Sequence, residues 1–137
     1  MRRVQELRPC LSLAILVGVM ATASDAQGQN KVSAFMKVKL DHSQRLLEGL
    51  ATEDYDLIAK HSQAIGLLCE DEIWSVLQTP EYRERSNEFR RSVYAITEAA
   101  RNKNLEGAAL AFVDTTMKCV SCHKYVRKNR PAPPPAK

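Results

Sequence analysis

Apolar side chains recur every three or four residues through most of the chain between residues 31 and 128, and polar residues fill the positions between them. This spacing places the apolar side chains along one face of a helix. No segment shows the apolar–polar alternation of a half-buried strand. Helix-breaking residues are few in this range: one proline, Pro80, and three glycines. The pattern therefore predicts an all-α protein.

Four helices account for the pattern. The first is predicted at residues 31–50. The second begins near Thr52, which we expect to be its N-cap with acidic residues in the first turn. The third begins with Thr79 as N-cap and Pro80 at the first helical position, where a proline has no amide hydrogen bond to lose. The fourth begins at Asn104.

Each predicted helix has one apolar stripe that we expect to face a common core. The residues of these stripes, helix by helix, are Val32, Phe35, Met36, Leu40, Leu46, Leu47 and Leu50; Leu57, Ile58, His61, Ala64, Ile65, Leu68 and Cys69; Tyr82, Phe89, Val93, Ile96 and Ala100; and Leu105, Ala108, Phe112, Thr116, Cys119, Val120 and His123. Short connections between such helices predict an antiparallel, up-down-up-down four-helix bundle. We place this single domain at residues 31–128, followed by a proline-rich, disordered tail at 129–137.

The N-terminus has the pattern of a secretory signal peptide. Three arginines precede an apolar run of about a dozen residues, which ends in small residues. We predict a cleaved signal at residues 1–23 and a flexible lead at 24–30. The run is shorter than the roughly 20 residues that span a bilayer, although an uncleaved anchor remains the alternative. The protein is therefore expected to be periplasmic or otherwise exported, without stable membrane insertion after cleavage.

Charge gives little indication of a partner. Removing the signal takes away three arginines and one glutamate, which lowers the formal net charge from +4 to +2. Such a weak positive charge does not favour nucleic-acid binding, and the basic clusters are typical of solvated helix faces. No paired carboxylates or nucleophile–base arrangement stand out, so we do not expect an enzyme.

The most specific motif is Cys119-Val120-Ser121-Cys122-His123, a C-x-x-C-H sequence in the last predicted helix. A thioredoxin-type redox pair needs a βαβ setting, which the pattern does not provide. A structural zinc site needs four ligands, and no second cysteine pair is present. A disulfide between residues three apart on a helix is awkward. Covalent attachment of one haem c remains, with Cys119 and Cys122 as the attachment residues and His123 as the proximal iron ligand.

Apolar residues at helical spacing could cover the porphyrin. Phe35, Met36 and Trp74 are candidates for this pocket, together with Leu68, Ile73, Leu77, Tyr82 and Phe112. His123 falls on the predicted core-facing stripe of the last helix, where a haem would be enclosed. Cys69 has no partner once Cys10 is removed with the signal, so we interpret it as a small buried residue.

A C-x-x-C-H motif in the last helix of a four-helix bundle resembles the class II c-type cytochromes, which include cytochrome c-prime and the cytochrome c556-like proteins. The resemblance covers about residues 31–128. The family's usual motif continues with tyrosine and arginine. Arg127 matches this motif, whereas Tyr125 stands one position early and Val126 occupies the usual tyrosine position.

The resemblance implies a function and further site residues. It implies an exported monohaem cytochrome that carries single electrons between transient redox protein partners, and a homodimer is compatible with it. Arg127 would lie near the proximal face of the haem, with a position in the solvated tail as the alternative. In some relatives a methionine of the first helix is the sixth iron ligand, and Met36 is the candidate here, although it could equally be a core residue. Without that ligand, a five-coordinate haem binding NO or CO is the alternative. A third possibility is a helical binding protein whose C-x-x-C-H is incidental.

Overall fold

The computed structural model describes residues 31–70 and 76–129, and within them the chain forms four helices and no strand. Helix α1 occupies residues 31–51, α2 is Tyr55–Leu68, α3 is Pro80–Arg101 and α4 is Leu105–Asn129. They pack as the antiparallel four-helix bundle that the sequence predicts. Helix α4 extends one residue beyond the predicted domain boundary, through Asn129. The signal, the lead, the rest of the tail and Trp74 lie outside the described residues.

Two turns of nearly identical geometry join the helices in pairs. Glu53 and Lys103 each adopt a positive φ, of 57° and 54°, which reverses the chain after α1 and α3. The next residue in each turn caps the following helix, because the Asp54 side chain accepts the Leu57 amide at 2.9 Å and that of Asn104 accepts the Gly107 amide at 2.8 Å. Because successive helices are antiparallel, the turn after α1 and the turn after α3 lie at the same end of the bundle.

Of the predicted N-caps, Thr52 is wrong and Thr79 is confirmed. Thr52 belongs to the end of α1, since its hydroxyl donates to the Glu48 carbonyl oxygen at 2.9 Å. The Thr79 hydroxyl accepts the Tyr82 amide at 3.1 Å, and Pro80 begins α3. Proline at this position fixes the backbone where the helix needs no amide donor.

The dry core lies next to the two turns. We call this part of the bundle, residues 46–65 and 92–115, the closed end; its fully or almost fully buried apolar residues are Leu46, Ile58, Ile65, Val93, Ile96, Ala100 and Ala108. Ser62 and Thr97 are also buried there, and their hydroxyls form a 2.7 Å hydrogen bond that satisfies both. Burial of apolar surface stabilises a fold by about 25 cal/mol per Å² removed from water, so this cluster contributes to the stability of the bundle.

Some residues of the predicted stripes lie on the surface. Leu40 and Leu47 are each 57% exposed, and Thr116 and Val120 are exposed on α4. The rotation of α4 is set by its two buried residues, Ala108 and Thr115, and the half-buried positions that follow them at helical spacing are 119, 122 and 126. The predicted stripe is rotated to one side of this buried face, because a sequence pattern alone does not fix the rotation of a helix about its axis.

The opposite part of the bundle, residues 31–45, 76–91 and 116–129, is packed less closely. We call it the cavity end. Tyr82 is its only buried side chain among the described residues. No described helix combines the length and the apolar character needed to cross a membrane.

Candidate functional site

A mostly apolar cavity of about 260 Å³ opens at the cavity end, between α1, α3 and α4. Its walls include both cysteines of the C-x-x-C-H motif, the histidine and the candidate methionine. The lining residues are Val32, Met36, Lys39, Leu40, Ser43, Val76, Tyr82, Ser86, Phe89, Cys119, Cys122, His123 and Val126. The fold thus brings the predicted attachment residues to one concave surface.

Helix α4 supplies both motif thiols to this cavity. Cys119 and Cys122 are three residues apart, and residues with this spacing lie on the same side of a helix. Both are half-buried free thiols that line the cavity. Cys69 is also a half-buried free thiol, but it packs against the core and does not line the cavity.

Burial and one nearby cation act in opposite directions on these thiols. Burial raises the pKa of Cys119 and of Cys122, and the positive charge of Lys39 partly offsets that rise. The same two influences act on Cys69. Because an ordinary thiol already titrates above neutral pH, the thiols of the cavity are protonated at pH 7.

His123 lies at the cavity rim and is exposed as a whole residue. Partial burial of its imidazole lowers the pKa, and the charges of Arg127 and then Lys39 lower it further. A lowered pKa favours the neutral ring, which is the form that binds a metal. The histidine is therefore ready to act as a ligand without first losing a proton at neutral pH.

Helix α1 forms the wall opposite the cysteines and carries two functional groups into the cavity. Met36 is half-buried and lines it, one helical turn before Lys39. The Lys39 ammonium lies 5.1 Å from the ring centroid of Phe35 and 4.6 Å from that of Phe89. Cation–π contacts at these distances hold the charge in place. The cavity thus contains a thioether and a fixed cation on one wall.

Helix α3 contributes the aromatic side chains Tyr82 and Phe89. Tyr82 is only 2% exposed, and its hydroxyl accepts the Val76 amide at 3.3 Å. Burial raises its pKa to about 12. Tyr82 therefore stays neutral and contributes a rigid apolar surface to the cavity.

The predicted site residues divide into three groups. Cys119, Cys122, His123 and Met36 meet at the cavity. Phe35 and Arg127 are outside its lining: Phe35 contacts the Lys39 ammonium, and Arg127 is exposed and acts on His123 through its charge. Trp74, the remaining pocket candidate, lies outside the described residues.

Tyr125, which stands one position before the usual tyrosine of the motif, contacts residues of α3 and its N-cap. The Tyr125 hydroxyl forms a 2.9 Å hydrogen bond with the Thr79 hydroxyl, and the Arg85 guanidinium lies 5.0 Å from the centre of its ring. These contacts join α4 to the start of α3. Val126, at the usual tyrosine position, lines the cavity instead.

Several lining residues were missed by sequence reasoning. Lys39 follows Met36 by one turn, and Phe89 follows Tyr82 by two turns on the predicted stripe of α3. Helical spacing from those two residues was the available signal for both. A lysine was not expected in an apolar cavity, because its charge is costly to bury.

His42 and His61 form a second titratable feature, away from the cavity lining. Their Nδ1 atoms are 2.8 Å apart and link α1 to α2. Burial lowers the pKa of His61, and the neighbouring His42, Lys60 and Arg45 lower it further, against a smaller opposing effect of Glu48. Within residues 31–70 and 76–129, no three side chains of His, Cys, Asp or Glu converge as a metal-binding group.

No protein-family model, curated protein or solved structure matches this chain.

Proposed function

We propose that this protein is an exported monohaem c-type cytochrome that carries single electrons, as its resemblance to the class II c-type cytochromes implies. The observation that supports this most is the cavity itself, which gathers both motif thiols and His123 on one apolar surface. An incidental C-x-x-C-H would have no reason to border a mostly apolar cavity between three helices.

The donor set fits a covalently attached haem. Each thiol would add its S–H across one vinyl group, so that sulfur would gain a carbon bond, the neighbouring carbon would gain the hydrogen and nothing would leave. Cys119 and Cys122 would form these thioethers, and the neutral imidazole of His123 would bind the iron. When bound, the haem would supply an iron centre that accepts and returns one electron.

The rest of the cavity would control access to that centre. Leu40, Tyr82, Phe89 and Val126 provide apolar surface that would cover part of a porphyrin. Lys39 holds a positive charge in the same cavity, which would favour the more electron-rich state of a bound iron. Transient redox protein partners would exchange the electron at the exposed edge near His123.

Covalent attachment can be tested directly on the exported protein. Acid–acetone should fail to extract the haem, and the mature mass should exceed that of the polypeptide by one haem. Replacing Cys119 and Cys122 with alanine together should abolish both the resistance to extraction and the increase in mass. Cys69→Ala is the matched control, since Cys69 is an equally free thiol outside the cavity lining. A denatured wild-type band without haem staining would contradict the proposal.

Export is a separate part of the proposal. Haem c is attached outside the cytoplasm, so the secreted protein should have lost its signal peptide. N-terminal sequencing of that material should find a start between Ser24 and Gln27. Finding Met1 in the mature protein would instead indicate a retained anchor.

Binding of NO or CO to a five-coordinate haem is the alternative function, and the apolar surface around Met36 gives it a specific basis. A thioether ligand from Met36 would keep the iron low-spin and block gas access. Met36→Leu nearly preserves side-chain volume, so the fold should lose less than about 1.5 kcal/mol. If Met36 binds, the variant should lose the near-infrared methionine–haem band and gain rapid CO binding. A wild-type protein that is already high-spin, and unchanged by Met36→Leu, would favour the gas-binding function.

A further inference from the structure

Helix α4 carries an exposed apolar stripe on the side away from the cavity. The exposed fraction along it is 73% for Leu110, 59% for Val113, 61% for Met117 and 42% for Val120. They follow one another at steps of three, four and three residues, which is the spacing of a helix–helix seam. The half-buried and buried positions 112, 115, 119 and 122 fall on the opposite side of the helix. The stripe is therefore a second face of α4, unused within the described bundle.

A charged residue continues the stripe at each end. Glu106 lies one turn before Leu110, and Lys124 lies one turn after Val120, so the seam spacing is unbroken across all six positions. Both end residues are exposed, and no ion pair among the described residues involves either of them. The stripe thus has an acidic end, an apolar middle and a basic end.

We propose that this face, from Glu106 to Lys124, pairs antiparallel with the same face of a second copy of the chain. A two-fold axis beside residue 115 would place Leu110 opposite Val120 of the other copy, and Val113 opposite its Met117. The Glu106 of each copy would then lie opposite the Lys124 of the other, which gives two such pairs, because a two-fold interface uses the same patch on both subunits. A parallel pairing would instead oppose like charges at both ends.

The neighbourhood of the stripe suits this pairing. The positions beside the seam are mostly small, namely Gly107, Ala109, Thr116 and Ser121, which allows two helices to approach closely. At the basic end, a surface hollow between α3 and α4 is lined by Lys124 and Lys128, whose charges would stabilise an incoming carboxylate, and by Arg85, which is already paired with Glu81. The seam is about 27 Å long at 1.5 Å per residue. An interface of this length would be small, so we infer a reversible dimer. This inference does not depend on the haem.

Sedimentation equilibrium of the mature exported protein tests the pairing. The wild type should dimerise reversibly, and Met117→Lys should make it monomeric. Leu47→Lys is the control, since it introduces the same charge at a similarly exposed residue of α1 and should leave the dimer intact. Circular dichroism should confirm that both variants are folded. A wild type that stays monomeric up to about 1 mM would overturn the proposal, as would equal dissociation by both variants.

Charge reversal tests the antiparallel register. Glu106→Lys or Lys124→Glu alone replaces two attractive contacts with two repulsive ones, and each should weaken the dimer about tenfold or more at low salt. The double variant restores opposite charges across the axis and should return to near the wild-type affinity. A double variant that remains as weak as the single ones would refute the register.

Discussion

The two ends of the bundle are built from the same four helices but packed to different degrees. The closed end contains all seven residues of the buried apolar cluster, and its two buried hydroxyls bond to each other. The cavity end has Tyr82 as its only buried side chain among the described residues, and its walls carry thiols, an imidazole and an ammonium. Protein interiors normally pack without such gaps.

This difference separates the residues that hold the fold from those that carry chemistry. The buried apolar cluster lies in the closed end, whereas the polar groups and the open space lie in the cavity end. A large apolar group bound in the cavity would complete the packing. The comparison can therefore be tested by perturbing each end in turn.

The largest effect should come from truncating the core. Ile96→Ala removes a fully buried side chain at the closed end and should lower the free energy of unfolding by about 2–5 kcal/mol. Leu40→Ala, at a 57% exposed residue of the cavity end, should cost less than about 1 kcal/mol. Urea denaturation of the haem-free protein measures both. Equal losses would show that the two ends are equally packed.

A smaller effect, confined to the cavity end, should follow from neutralising its cation. If the cavity holds the proposed haem, Lys39→Met should lower its midpoint potential, because the positive charge would favour the ferrous state; we expect about a tenfold change in the ferrous-to-ferric ratio, or about 59 mV. Lys37→Met on the same helix makes an equal change in net charge at an exposed residue outside the cavity lining. Potentiometric titration of both should show a shift mainly for Lys39. Matching shifts would mean that the charge acts only through the solvent.

The smallest effect should appear at the histidine pair between the two ends. Since the pKa of His61 is lowered in the folded protein, protonation favours unfolding. The stability that depends on a neutral His61 imidazole is fully present above about pH 6.5. It is lost as the pH falls below that value. The thermal midpoint should therefore drop less steeply on acidification in His61→Gln than in the wild type. Lys37→Gln, which keeps both imidazoles and all the charges that act on His61, should retain the wild-type slope; identical slopes in all three proteins would exclude the effect.

The fold was predictable because helical spacing and breaker residues mark the elements locally. The N-cap at Thr79 with Pro80 was found from local chemistry alone, and the stripe of α3 was correct. The N-cap of α2 was missed because Thr52 and Asp54 are both good capping residues. Only the backbone reversal at Glu53, which the sequence does not mark with a glycine, decides between them.

The site was only partly predictable. The spacing of Cys119, Cys122 and His123 predicts their common location, because all three lie within about one turn of one helix. The opposite wall depends on the rotation of α1 and on how far the helices slide past one another. Those degrees of freedom placed Lys39 in the cavity and Phe35 beside it, and periodicity does not determine them.

The paired turns at Glu53 and Lys103 have a consequence for the order of folding. Each turn makes one antiparallel helical hairpin out of residues near in sequence, and such local contacts form quickly. In both hairpins, the helix–helix contacts next to the turn would form first. Contacts in the closed end should therefore form early, and those around Cys119 and Cys122 last. The nascent protein would then present its two thiols while the opposite half is already assembled. Attachment of the proposed haem would then take place on a half-folded chain, before the packing around Cys119 and Cys122 is complete.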